Sequence, residues 1–109
     1  MNWKVIFSRK ADLDIGEIKD YIANVLLEPK VAENQLIRIK DAIDSLDFMP
    51  LRFRLYDYEP LRSEGMRIMT VGNYAVLYVP DESTATVTIV RIIYGGRDIP
   101  ARLREDLEE

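Results

Sequence analysis

Apolar positions recur along this chain with two different periods, and the change of period separates helices from strands. In residues 2–7, Trp3, Val5 and Phe7 alternate with Asn2, Lys4 and Ile6. A period of two predicts a strand with one buried face. Ser8 follows as a candidate helix N-cap. Ala11, Ile15, Ile18, Ile22, Val25 and Leu26 then fall at helical spacing, with Asp12, Asp14, Glu17, Lys19 and Asp20 as the polar positions between them. This predicts an amphipathic helix over 9–27. Glu28-Pro29 breaks it, because proline suits the first turn of a new helix. Ala32, Leu36, Ile39, Ile43 and Leu46 repeat the spacing over 30–47, and Phe48-Met49-Pro50 ends it. Two helices with so short a connection form an antiparallel hairpin.

Beyond residue 50 the period returns to two. Arg52–Tyr56 alternates, and Met66–Val71, Tyr74–Val79 and Thr86–Tyr94 read as three further strands. Gly72-Asn73 and Pro80-Asp81-Glu82-Ser83 are turn signals, and Gly95-Gly96 ends the last strand. That strand is apolar on both faces and rich in β-branched residues, which places it centrally. Asp98–Leu107 reads as a short terminal helix. The order is β-α-α-β-β-β(-α). The expected fold class is α+β, one domain over residues 1–109, with a helical hairpin packed on one face of a mainly antiparallel four-stranded sheet.

Composition narrows the chemistry. The 109 residues include no cysteine and no histidine. Cysteine hydrolases, histidine triads and zinc enzymes are thereby excluded. No metal or organic cofactor is implied. No apolar run approaches the length of a bilayer span, so the expectation is a cytoplasmic protein with no membrane partner. The net charge of −4 argues against nucleic-acid binding by bulk charge. Its distribution is uneven: all basic residues between 51 and 100 are arginines. Arg52 and Arg54 would share one face of a strand, with Arg62 nearby, and Tyr56 and Tyr58 lie close in sequence. Cations beside aromatic rings suit contacts to a nucleic-acid backbone and its bases. The same arginines equally suit a charged, protected edge strand.

Several local patterns recur in one known family. They are Phe7-Ser8-Arg9-Lys10-Ala11-x-x-Asp14, Asp20-Tyr21-Ile22, Gly65-x-Arg67, Asn73-Tyr74-x-x-x-Tyr78 and the ending Arg91-Ile92-Ile93-Tyr94-Gly95-Gly96-Arg97-Asp98-Ile99. In this order the chain resembles the RelE/ParE toxins of bacterial type II toxin–antitoxin systems over nearly its whole length. The resemblance implies a small toxin neutralised by a cognate antitoxin that wraps it with an extended or helical segment. It also implies one of two targets. RelE-like toxins cut mRNA on the ribosome, as metal-independent endoribonucleases, whereas ParE-like toxins inhibit DNA gyrase without enzymatic chemistry.

The first expectation from the resemblance is the ribosome-dependent nuclease, and the alternative is the gyrase inhibitor. RNA cleavage without a metal needs a base, an acid and cations that stabilise the phosphorane. Glu59-Pro60-Leu61-Arg62 with Gly65-x-Arg67 is similar to a segment of YoeB-like toxins that carries a catalytic glutamate. By that resemblance Glu59 would be the base and Arg67 a phosphate-stabilising cation. Tyr94 aligns with a C-terminal tyrosine of the family's active nucleases and would stack or handle a proton, and Arg97, beyond the two glycines, is a further candidate phosphate-stabilising cation. Two positions depart from the nuclease pattern: Ala75 replaces an arginine, and Ile93 stands where YoeB-like toxins have histidine.

Overall fold

A computed structural model describes residues 2–24 and 29–95, together with Ile99. The elements are β1 (Lys4–Phe7), α1 (Arg9–Asn24), α2 (Pro29–Asp44), β2 (Arg67–Val71), β3 (Tyr74–Asp81) and β4 (Thr86–Tyr94). Two 3-10 turns, Ser45–Asp47 and Pro50–Arg52, follow α2. The strands form one sheet in the order β1-β4-β3-β2. β1 runs parallel to β4, and the other pairs are antiparallel. The central place of β4 and the mainly antiparallel character match the sequence reading.

Helix α1 begins where its sequence says it should. The Ser8 hydroxyl accepts the Ala11 N–H at 3.1 Å, and the Ser8 carbonyl accepts the Asp12 N–H at 3.1 Å. The same hydroxyl donates to the Val90 carbonyl at 2.9 Å, so one cap also fastens the helix to the sheet. Both helices pack on the face of the sheet that carries Met69, Val71, Tyr74, Val76, Tyr78, Val87, Ile89 and Ile92. Ala11, Ile39, Ile43 and Leu46 fill this core from above.

The opposite face is covered too. Ile68, Ala75, Leu77 and Ile93 form a second core with Leu61, Met66 and Ile99, flanked by Tyr56 and Tyr58. The long segment between α2 and β2 thus folds over the back of the sheet, which is why β3 is apolar on both sides from Tyr74 to Tyr78.

Several local expectations need correction. Arg52–Tyr56 is not a strand: Pro50 opens a 3-10 turn there, and Leu55 makes an isolated bridge to Arg67. Pro80 and Asp81 belong to β3, and the turn is Glu82–Ala85. Proline is tolerated at that point because it lies near the end of its strand. Of the helix expected over Asp98–Leu107 only Ile99 is among the described residues, and the end of the first helix at 25–27 lies outside them.

Candidate functional site

The residues singled out in the sequence fall in three separate places. The first is the loop that carries the chain from α2 to the back of the sheet. There Arg52 turns its guanidinium onto its own backbone. Its Nη1 donates to the carbonyls of Ser45, Phe48 and Met49, and its Nη2 to the Ser45 hydroxyl at 2.9 Å. The guanidinium also lies 4.7 Å from the centre of the Phe53 ring. Arg67, the first residue of β2, donates through Nη1 to Leu51 O at 3.2 Å and Phe53 O at 2.6 Å. Its Nε is buried without a partner. Tyr78 lies opposite Arg67 and donates its hydroxyl to Pro50 O at 2.6 Å. Burial pushes the Tyr78 hydroxyl up to about 12, against the lowering effect of Arg67 and Arg52. These three side chains clamp the loop.

The second place is the turn at 57–65, behind the sheet. The Glu59 carboxylate accepts the Ser63 N–H at 2.8 Å and the Ser63 hydroxyl at 2.5 Å. Those two bonds hold its pKa below the usual carboxylate range. A lowered pKa makes a weaker base. Arg62 pairs with Asp57 at 2.9 Å, both exposed. Arg54 is also exposed, near Tyr56, with its backbone carbonyl accepting the Ile68 N–H. Arg52 and Arg54 thus belong to different local structures rather than one strand face.

The third place is the far end of the central strands. Tyr94 lies opposite Tyr74, edge to face at 5.2 Å between ring centres. Tyr94 is 56% exposed, as is Tyr21 of α1 at 52%. Burial and the neighbouring Tyr94 and Tyr21 hydroxyls raise the pKa of Tyr74 between them.

The three described residues of the four assigned to RNA cleavage, Glu59, Arg67 and Tyr94, are not gathered together. Arg67 opposes Tyr78 and Tyr94 opposes Tyr74, four positions apart along β3. That is roughly 13 Å of strand. Glu59 lies in the segment that covers the other face. Arg97 lies outside the described residues. The two departures from the nuclease pattern, Ala75 and Ile93, are direct cross-strand partners. Both are sealed in the second core with Leu77 and Ile99.

One buried polar centre escaped the sequence reading. Asp14, placed there among the polar positions of the first helix, is 7% exposed. Its carboxylate accepts Arg91 Nε at 2.8 Å, Arg91 Nη2 at 3.0 Å and the Ile92 N–H at 2.9 Å. The signal was present: Asp14 lies three residues after Ala11 and four before Ile18, on the apolar stripe. Register shifts between Leu77 and Tyr78, so Val90 is left unpaired in β4. Such a bulge disrupts the local ladder, and Asp14 and Ser8 satisfy the groups beside it.

Between the helices and β1 lies a groove of about 310 Å³ lined by Phe7, Ile15, Leu36, Ile37 and Ile43, with Asp12, Lys19 and Lys40 at its rim. Among the described residues no three carboxylates gather as a metal site, and no helix is long and apolar enough to cross a membrane.

A helical pair on a four-stranded mixed sheet is an α+β architecture shared with several solved structures. It is similar to the chromosomal ParDE toxin–antitoxin system of Pseudomonas aeruginosa, at 21% identity over 84% of this chain and 95% of that one, with a TM-score of 0.67. It is also similar to the RelBE2 toxin–antitoxin complex of Mycobacterium tuberculosis, at 23% identity over 86% and 92% of the two chains, with a TM-score of 0.60. The archaeal RelE–RelB complex of Pyrococcus horikoshii matches at 14% identity over 89% and 99%, with a TM-score of 0.58. Comparison with curated protein sequences finds no match. The sequence model for the ParE toxin of the parDE type II toxin–antitoxin system matches residues 5–99. The chain belongs to that family.

Proposed function

We propose that this toxin acts by binding DNA gyrase and inhibiting it, without cutting RNA. The observation that carries this reading is the pairing of Ala75 with Ile93 inside an apolar core. By the family resemblance, these are the positions where nuclease relatives hold an arginine and a histidine. A transition-state cation contributes on the order of a hundredfold or more in rate. Neither a cation nor a proton carrier stands at either position.

The remaining groups support the same reading. Glu59 is a weakened base, and Arg67 and Arg52 are engaged by backbone carbonyls. Arg62 is engaged by Asp57. A cognate antitoxin is the second partner. The groove between α1, α2 and β1, apolar with charges of both signs at its rim, suits an amphipathic segment of such a protein.

Primer extension on a defined mRNA in a reconstituted translation system tests the exclusion of RNA cleavage. The expected result is no new 5′ ends in the presence of the toxin. New ends phased to the ribosomal A site would establish the nuclease instead, with Glu59, Arg67, Tyr94 and Arg97 as its first candidates.

A further inference from the structure

We propose that the turn Phe48–Leu51 is a preformed knuckle that docks the toxin on its target, with Phe48 and Met49 entering an apolar pocket of a larger protein. Only the name of the target rests on the gyrase reading.

Phe48, Met49 and Leu51 are 58%, 59% and 43% exposed, three large apolar side chains within four residues. Two residues set among them are not exposed: Leu46 and Pro50 are fully buried. The turn is therefore anchored from beneath, and its apolar side chains are displayed. Met49 sits in the left-handed region at φ 47° and ψ 57°. Residues other than glycine, Asn and Asp rarely adopt that conformation, and such outliers persist only where the surroundings hold them.

The surroundings do hold it. Arg52 binds the carbonyls of Ser45, Phe48 and Met49, Tyr78 binds that of Pro50, and Arg67 binds those of Leu51 and Phe53. The Asp47 carbonyl accepts the Trp3 N–H at 2.8 Å. The carbonyls of the turn are taken up by these donors, and Phe48, Met49 and Leu51 stay displayed. A surface fixed in this way binds with little ordering cost.

The occupant follows from size and charge. Three side chains fall far short of the roughly 800 Å² per partner that a standard interface buries, so a second copy of this chain is a poor fit. They do suit the central anchor of a wider contact, where a few apolar residues dominate. Nucleic acid fits badly: the Arg52 guanidinium faces its own carbonyls, and exposed Asp44 and Asp47 precede the turn. The complementary surface is a concave apolar pocket with a basic rim on a protein. None of the residues lining the groove proposed for the antitoxin lies in this turn.

The test uses the full chain with Phe48→Ser and Met49→Gly, separately and together. Glycine adopts the left-handed conformation freely, so Met49→Gly removes the side chain and keeps the turn. Three quantities are read: melting temperature, growth arrest on induction in bacteria at matched expression, and affinity for purified gyrase. The expected result is an unchanged or raised melting temperature, lost growth arrest, and gyrase binding weakened about tenfold or more. A folded double variant that arrests growth like the wild type overturns the proposal. If the wild type arrests growth without binding gyrase, the gyrase reading fails by itself. Growth arrest then decides the knuckle: lost in the folded variants it supports docking on another target, and retained it refutes docking. Should the double variant unfold, Met49→Gly alone carries the same comparison.

Discussion

Asp14 and Arg91 form a two-pronged ion pair in the interior, joining the middle of α1 to the bulge of β4. The carboxylate does more than neutralise the guanidinium, since it also accepts the Ile92 N–H that the bulge exposes. Asp14→Ala should therefore cost about 3–5 kcal/mol, the range for breaking a buried pair from one side. Replacing both partners with apolar residues of similar volume, Asp14→Leu with Arg91→Met, should recover part of this. A loss of about 1–3 kcal/mol should remain, because the Ile92 N–H still lacks an acceptor. Urea denaturation of the three variants against wild type measures both values. Equal stability of Asp14→Ala and wild type would contradict the assignment.

Tyr78 gives a prediction in pH. Its folded pKa is raised to about 12, so the protonated hydroxyl is favoured by folding. Its stabilising contribution is fully present below the unfolded value of about 10 and is lost as pH rises through the folded value. Tyr78→Phe should cost about 1 kcal/mol near neutral pH, through the lost bond to Pro50 O. The gap between wild type and Tyr78→Phe should narrow between pH 10 and 12, read by denaturation at a series of pH values. A gap that is constant over that window would contradict the raised pKa.

Gly72 turns β2 into β3 at φ +57°, and a methyl group there would meet the Gln35 amide nitrogen at 2.8 Å. Gly65, at φ +88°, has open space around it. The Gln35 amide is the far end of a flexible side chain and can swing aside, so Gly72→Ala should cost roughly 1 kcal/mol, the left-handed penalty. Gly65→Ala should show the same penalty. Paired thermal melts compare the two.

Arg67 and Glu59 separate structure from chemistry. Arg67→Met leaves the Leu51 and Phe53 carbonyls without their donor and should cost about 1–3 kcal/mol. Glu59→Gln lies on the surface and should leave growth arrest unchanged at matched expression. A nuclease with Glu59 as its base would lose growth arrest in that variant. The growth assay therefore tests Glu59 as a catalytic base.

The elements were legible because each has a strong local signal. Periodicity gave both helices and the four sheet strands, Ser8 gave the start of α1, and Gly72-Asn73 gave the β2–β3 turn. The apolar faces of Thr86–Tyr94 gave the central strand. What could not be read was where polar side chains go when they leave the surface. Arg52 and Arg54 alternate like strand residues, yet Arg52 folds back onto carbonyls that only the 3-10 turn at Pro50 presents. Asp14 looked like one more acid on a solvated helix face, and its partner lies 77 residues away. The second core was hidden for the same reason, since it is built from a segment of irregular structure with no period. The proposed roles of Glu59, Arg67, Tyr94 and Arg97 came from short patterns. Such patterns fix residue order, whereas convergence on one surface depends on the tertiary fold.

Gyrase is the proposed target. The most direct measurement is supercoiling of relaxed plasmid DNA by purified gyrase, titrated with this toxin. Supercoiling is expected to fall with toxin concentration, and Phe48→Ser with Met49→Gly to weaken the effect about tenfold or more. Undiminished supercoiling at toxin in large excess over gyrase, with the toxin folded and able to arrest growth, would contradict that target.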